Sequence, residues 1–423
     1  MKQKKFKILI PALCAVFIFA GCTTQQTKTA ASGTSADTVV YDAESSSNDT
    51  EVKSISTQSD ASGDFSDAFS DRDLSGEYDD ETFTIQLTGN SAKSSADTVS
   101  VSGSTITITG AGTYIVSGSL SNGSIIINAG EDDKVQLVLN GVSIHSDNYA
   151  AIYVKQADKV FITLADGTEN TLSNGGIFTQ TDDNNVDAVI FSKDDITFNG
   201  TGTLNITSPA GHGIVGKDEV TITAGTYTIS AANHAVRAND LLAIAGGTFT
   251  LTAGEDGLHA ENSDDETLGN IYIKGGTFTI KVSDDAIHAN TLLQIDGGTF
   301  NITAAEGLEG TYIRINGGTV NISASDDGIN AAKKSSAYTP TIEINDGEIT
   351  IAMGAGDTDG VDSNGNIVIN GGTISVTGNS SFDCDGTAEY NGGTIIVNGQ
   401  QVNSIPNQMM GGAGGMGRMG NRR

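Results

Sequence analysis

The chain of 423 residues carries 53 Gly, 4 Pro and no Trp, with 37% hydrophobic and 6% aromatic residues. A mixture this rich in Gly, Thr and Ile lacks the Leu, Ala, Lys and Glu of helical domains, which excludes a helical architecture. Lys plus Arg number 22 against 52 Asp plus Glu, a formal charge of −30; nucleic acid needs a basic footprint and is excluded as a partner, whereas cations become natural ligands.

The N-terminus reads Lys2, Lys4, Lys5 and Lys7, an apolar run from Ile8 to Ala20, then Gly21 and Cys22. A basic region and a short apolar stretch ending in small residues form a secretory signal. Cys22 after Ala-Gly resembles a bacterial lipobox, which implies a signal over residues 1–22 and a lipid on Cys22. The mature chain is then expected outside the cell, anchored to the bacterial membrane. No later segment approaches the ~20 apolar residues of a membrane span. Residues 23–81 are rich in Ser, Thr and Asp, with only Lys28, Lys53 and Arg72 as cations. Such a segment buries too little apolar surface to fold and is expected to be a disordered tether.

From residue 82 a phrase recurs: Ala-Gly-Thr-Tyr-Thr-Ile at 224, Gly-Gly-Thr-Phe-Thr-Leu at 246, Gly-Gly-Thr-Phe-Thr-Ile at 275, and relatives at 297, 317, 346, 371 and 392. Between second glycines, from 225 to 393, the separations are 22, 29, 22, 20, 29, 25 and 21. Such a period marks a solenoid. Apolar residues alternate at spacing two, as in Leu293, Ile295, Phe300 and Ile302, which is strand periodicity. Three strands and three tight turns fill one period, the size of one coil of a parallel β-helix. Asn239, Asn290 and Asn364 recur after one strand, where a left-handed residue could turn the chain. The two long periods insert 261–269 and 332–340, expected as loops, and loops on a rigid scaffold carry binding.

Stacked coils place equivalent residues ~4.8 Å apart. Aligning one strand on Ile152, Val189, Ile214, Val236, Leu258, Ile287, Leu308, Ile329 and Val361 yields two columns. Two positions earlier run Ala150, Asp187, His212, His234, Asp256, Asp285, Glu306, Asp327 and Asp359, continued by Asp385. One position later, pointing outward, run Tyr153, Ile190, Val215, Arg237, His259, His288, Glu309, Asn330 and Asp362. Stacked like charges repel. Calcium, with oxygens at roughly 2.3–2.6 Å, can bridge carboxylates on adjacent coils; solvated turn aspartates are the alternative. The outward line reads as a ligand-facing strip or a plain surface ladder. Cys384 stands alone, so no disulfide framework exists, and residues 406–423, ending in Gly and Met repeats, are expected to be a flexible tail.

The stretches 130–142, 151–155, 162–172 and 211–217 and the Ser-Asp-Asp-Gly-Ile-Asn box at 325 together closely resemble a carbohydrate-binding β-helix family typified by a surface protein of a cellulose-degrading clostridium. The resemblance covers roughly residues 82–400 and implies, for a domain over 82–405, a right-handed parallel β-helix similar to polysaccharide lyases, non-catalytic, with bound calcium and affinity for cellulose or acidic plant polysaccharide such as polygalacturonate. Carried over residue by residue, calcium falls on Asp256, Asp284, Asp285, Glu306, Asp326, Asp327, Asp357 and Asp359. Tyr153, Arg237, His259, His288, Glu309, Asn330 and Asp362 then form the ligand strip of a monomer. A calcium-dependent lyase with Arg237 as base, or a structural stalk or adhesin, are the alternative functions.

Overall fold

The computed structural model describes residues 63–78, 81–355 and 358–406. It is all-β apart from one short helix, Asp71–Leu74. Its strands form one continuous sheet that is almost wholly parallel, each strand pairing with its equivalent one coil earlier and one later. Antiparallel pairs occur near both ends: Thr82–Gly89 with Ala92–Ser94, Val99–Ser102 with Thr105–Ile108, and Thr394–Val397 with Gln400–Val402. Such hairpins keep the terminal coils from offering long open edges.

Each coil contributes three strands, and thus three faces. The first face holds the Gly-Gly-Thr strands, such as Thr248–Ala253, Thr277–Val282 and Thr299–Ala304, in unbroken register. These strands alternate exposed and buried residues, as expected of a sheet with one wet side. Inward, Phe249, Phe278 and Phe300 stack in parallel, with centroids 4.7 and 4.6 Å apart. The glycine before each of these strands has φ between 110° and 125°, and a Cβ on Gly276 would lie 3.0 Å from the Phe278 ring. Glycine is required there both by backbone conformation and by space. A ladder of amides joins the turns that precede the last of these strands: Asn316 donates to Asp296, Asn345 to Asn316, Asn370 to Asn345 and Asn391 to Asn370, all at 2.7 to 2.8 Å.

The asparagine turns behave differently from expectation. Among the described non-glycine residues only Asn185 and Asn398 have positive φ. Asn290 lies inside the continuous strand Asp285–Ile295, so no left-handed turn is made there. Cys384 is a fully buried core residue whose Sγ donates to the Gly365 carbonyl.

The earlier part of the third face, with strands such as Lys159–Leu164, Asp195–Gly200 and Asn270–Ile273, is buried on both sides. Its outer side is covered by residues 63–78, which overturns the reading of this stretch as part of a solvated tether. Ser70 and Asp73 form a reciprocal capping box around the short helix. The free oxygen of Asp73 accepts from Lys159 Nζ at 2.8 Å and Thr197 Oγ1 at 2.5 Å. Asn199 and Thr223 donate to the carbonyls of Ser75 and Asp73. Phe65 stacks on Tyr272 at 4.6 Å and Arg72 lies 4.3 Å over the Phe161 ring. Gly76 lies against Gly200 so closely that a Cβ would meet its Cα at 2.8 Å. Averaged composition concealed the strap because Phe65, Phe69 and Leu74 are diluted among acidic and hydroxyl residues. Cys22 and the rest of residues 1–62, Asp357, and the tail from 407 lie outside the described residues.

Candidate functional site

The second face carries the two columns. Backbone pairing runs Ile214, Val236, Leu258, Ile287, Leu308, Ile329, Val361 and Phe382 in register. Arg237, His259, His288, Glu309, Asn330 and Asp362 therefore stack one per coil, and Asp383 extends the line. Both ends of the alignment need correction. Ile190, not Val189, opposes Ile152 and Ile214, so Ala188 takes the place beside His212 expected of Asp187. The segment before it contains the left-handed Asn185 and a closed bond between Gln180 and Val186, which shifts the register by one. At the other end Asp359 pairs with Ser380, so Asp385 does not continue the inner column.

Tyr153 does not reach the strip. It is 1% exposed, packed with Tyr149 and Phe191, and its hydroxyl is held by Asp182 and Asn184 of the covering segment. A sugar cannot stack on it.

In the inner column four side chains accept the backbone N–H of the next coil: His212 Nδ1 from His234, His234 Nδ1 from Asp256, Asp256 Oδ1 from Asp285, and Asp327 Oδ1 from Asp359. Nδ1 can accept only when unprotonated, so the neutral rings of His212 and His234 carry their proton on Nε2. Burial, reinforced by neighbouring cations, pushes both down to about 3. Neither offers a lone pair to a metal.

The two columns touch one another. His259 Nδ1 donates to Asp256 Oδ2 at 2.7 Å. His288 Nδ1 lies 2.8 Å from both Asp285 Oδ2 and Glu309 Oε2, and its Nε2 faces Asn290 Oδ1. Burial disfavours a charged His288, but its bonds to Asp285 and Glu309 outweigh that and raise it to about 10. It is an imidazolium with both protons committed. Glu309, only 4% exposed, also receives Lys334 Nζ at 2.6 Å; against the cost of burial, its bonds from His288 and Asp285 hold it ionised. Burial raises Asp285, which shares a hydrogen bond with Glu309. Burial, and then the charge of Glu309, raise Glu306 to about 8. Glu306 accepts from Asn330 Nδ2 at 3.0 Å. Burial with Asp327, Asp359, Asp383 and Asp385 raises Asp362 to about 7.

These facts decide which metal the site suits. Among the described residues four groups of His and acidic side chains converge within 4.8 Å, all between His212 and Glu309. Three include a histidine of this ladder, and His212, His234 and His288 have no free ring lone pair. The fourth, Asp285 with Glu306 and Glu309, is all oxygen. Next to it Asn330 Oδ1 is buried without a hydrogen-bond partner, an acceptor aimed at no donor. Such a set fits a hard cation such as calcium rather than zinc. Of the expected ligands, Asp285 converges with Asp256 in one group and with Glu306 in the next. Asp284 and Asp326 are exposed, and among the described residues neither they nor Asp327 and Asp359 join a converging group of three.

The two insertions meet over the intervening coils, with Ser335 Oγ donating to the Glu266 carbonyl and Ser336 bonded to its carboxylate. Thr291 and Thr311 anchor them below. Sequence reasoning missed Lys334 and Glu309 as members of the acidic group. The Lys333-Lys334 pair inside an insertion beside an acidic column was the available signal. Glu261, 3.7 Å from Arg237 Nη2 and 3.4 Å from His259 Nε2, closes the basic end.

A family described as carbohydrate-binding domain-containing protein matches residues 102–357 and 308–403. A protein of that description from Acetivibrio thermocellus is 39% identical over 137 residues, 32% of this chain and 48% of its own. The chain thus spans about half the length of that relative. A solved structure, a polysaccharide lyase-like protein from C. thermocellum as a gadolinium derivative, is 30% identical with a TM-score of 0.51. It covers 62% of this chain and 96% of its own.

Proposed function

The chain belongs to the carbohydrate-binding domain family, and from that premise we propose that it binds an acidic, uronate-bearing polysaccharide along its second face, with calcium, and without catalysis. The observation that carries this reading is the line Arg237, His259, His288, Glu309, Asn330 and Asp362, one residue per coil. Its ~4.8 Å step is comparable to the advance of a sugar chain by one unit. A chain of charge −30 repels a polyuronate unless cations stand between them. Arg237 supplies one near one end and Lys334 another near the middle. Calcium on Asp285, Glu306, Glu309 and Asn330 would supply a third and leave coordination positions for sugar carboxylates. The gadolinium in the structural relative supports a hard-cation site, because lanthanides also favour oxygen ligands.

In this reading the coil is right-handed, as parallel crossover connections nearly always are. The monomeric β-helix, residues 82–405, is held outside the bacterial membrane by a lipid on Cys22. The test is retention on immobilised polygalacturonate. We expect retention in calcium, loss in chelator, and a several-fold weakening by Arg237→Ala. Binding unchanged by chelator defeats the calcium bridge.

One observation favours a second reading, a calcium-dependent lyase. Arg237 Nε is buried without a hydrogen-bond partner, and beside a cation-bound uronate its side chain, once it has given up a proton to solvent and become a neutral guanidine, would have a lone pair to take the sugar proton in β-elimination. Release of ultraviolet-absorbing unsaturated sugars from pectate, abolished by Arg237→Ala, would establish it.

A further inference from the structure

Among the contacts that fasten residues 63–78 to the third face, one sets an amine against a carboxyl carbon. Lys159 Nζ lies 2.8 Å from Asp73 Oδ1, with the lysine side chain 16% and the aspartate side chain 3% exposed. The carboxyl group is fixed in place. Thr197 Oγ1 donates to Oδ1, and the backbone N–H and the hydroxyl of Ser70 donate to Oδ2. The ring of Phe161 lies beside the pair, its centroid 5.8 Å from Nζ. Two further acids border it. Asp195 is the register partner of Lys159 on the next coil. Glu219 follows one coil later, its backbone N–H donating to Asp195 Oδ1 at 3.3 Å. Both are half-buried, and burial, opposed in part by Lys159, raises both carboxyls above their ordinary values. One ammonium thus serves three acids. Asp73 alone neutralises it, and burying two more acids is costly. A plain ion pair has no use for that surplus, whereas a proton transfer does.

We propose that Lys159 and Asp73 condense into an isopeptide bond, a covalent clasp that fixes the strap to the coils without a second enzyme. The ammonium passes one proton to the Asp195 and Glu219 carboxylates, and the freed lone pair of Nζ attacks Cγ of Asp73. A C–N bond forms. That proton and a second one from Nζ go to one carboxylate oxygen, its C–O bond breaks, and water leaves. No oxidant or co-reactant enters, and a buried pair of charges becomes a neutral amide. Two features favour the step. Fixed contact replaces chance encounter, which in well-oriented pairs amounts to an effective concentration on the order of 10⁵ M or more. Strap and coil also exclude water, which disfavours the ions relative to their neutral product. Until the bond forms, charge holds the strap, so the unbridged strap yields to acid and the bridged one does not. The clasp lies apart from the second face and is independent of any ligand bound there.

The experiment is intact mass spectrometry of the full chain, kept folded at neutral pH and sampled over days, followed by tryptic digestion. Wild type is expected to become lighter by one water. Asp73 and Lys159 should then share one branched peptide, because trypsin does not cut after an acylated lysine. Lys159→Arg keeps a cation for Asp73 but offers no amine to acylate, and should hold its full mass. Asp195→Asn/Glu219→Gln leaves both reacting groups in place and should slow the loss of water by about 100-fold or more. Cooperative melting of both variants establishes that they are folded. If wild type keeps its full mass with Lys159 open to trypsin, the proposal falls. It falls equally if Lys159→Arg loses water as readily, which would mark cyclisation of an aspartate, or if the double variant condenses as fast as wild type.

Discussion

Glu306 carries a prediction with an unusual sign. Its carboxyl, ordinarily near 4.5, is raised to about 8 by burial and by the charge of Glu309. A raised carboxylate gives the fold stability that is fully present below pH 4.5 and lost as pH climbs through 8. The shift corresponds to about 5 kcal/mol at about 1.4 kcal/mol per pH unit. Glu306 keeps a solvent-facing part, and screening reduces this to about 2 kcal/mol. Glu306→Gln retains the shape and an acceptor for Asn330 while removing the charge. In chelator at pH 9 the variant should therefore melt above wild type, by about 4 °C, and the two should converge below pH 4.5. With calcium present the order should reverse, because the carboxylate is then a ligand and the amide a poorer one. Thermal denaturation followed by circular dichroism across pH 4–9 reads all of this. A Gln variant less stable than wild type at pH 9 in chelator would refute the electrostatic argument.

Phe278→Ala opens a cavity between Phe249 and Phe300 and should cost about 3–5 kcal/mol, read by urea denaturation; a cost under about 1 kcal/mol would mean the stack collapses freely. Asp73→Ala strands Lys159 and frees the strap, so proteolysis near residues 63–78 should accelerate while the coils stay intact. The carboxyl of Asp73 is held low because, against burial, Lys159, Ser70 and Thr197 stabilise its charge. Strap attachment is thus present above the ordinary value of 3.8 and lost as pH falls below it, which hydrogen exchange at residues 63–78 in acid would detect. Asn330→Ala removes the orphaned acceptor and should weaken calcium affinity several-fold by calorimetry, while its lost bond to Glu306 costs the calcium-free protein only about 1 kcal/mol.

The solenoid was legible because glycine with positive φ, followed by alternating threonine and large apolar residues, leaves one solution for a coil. The second-face columns were legible from Ile214 onward for the same reason: one inward residue per coil fixes its neighbours. Register failed at Asp187, where the covering segment adds a residue whose effect no spacing announces. Tyr153 looked outward by alternation and is outward, yet a distant segment covers it. Alternation reports a side chain's direction along its strand, not what later folds across it. The tether reading of 63–78 failed similarly, because its partners are Lys159, Thr197 and Tyr272, remote in sequence. The choice of hydrogen-bond tautomer, which removes His212 and His234 from any metal site, depends on backbone geometry that composition cannot carry.

The strap also determines how the molecule bears force. The chain enters at Phe65 beside Tyr272, then runs back past Asp73 and Lys159 to Glu77, bonded to Gln136, before the first long strand begins. Tension on the segment ahead of residue 63 is therefore delivered partway along the stack, not to its first coil. It loads the strap lengthwise, so several contacts must shear before any coil can unwind, and the terminal coils are shielded from being peeled away in sequence.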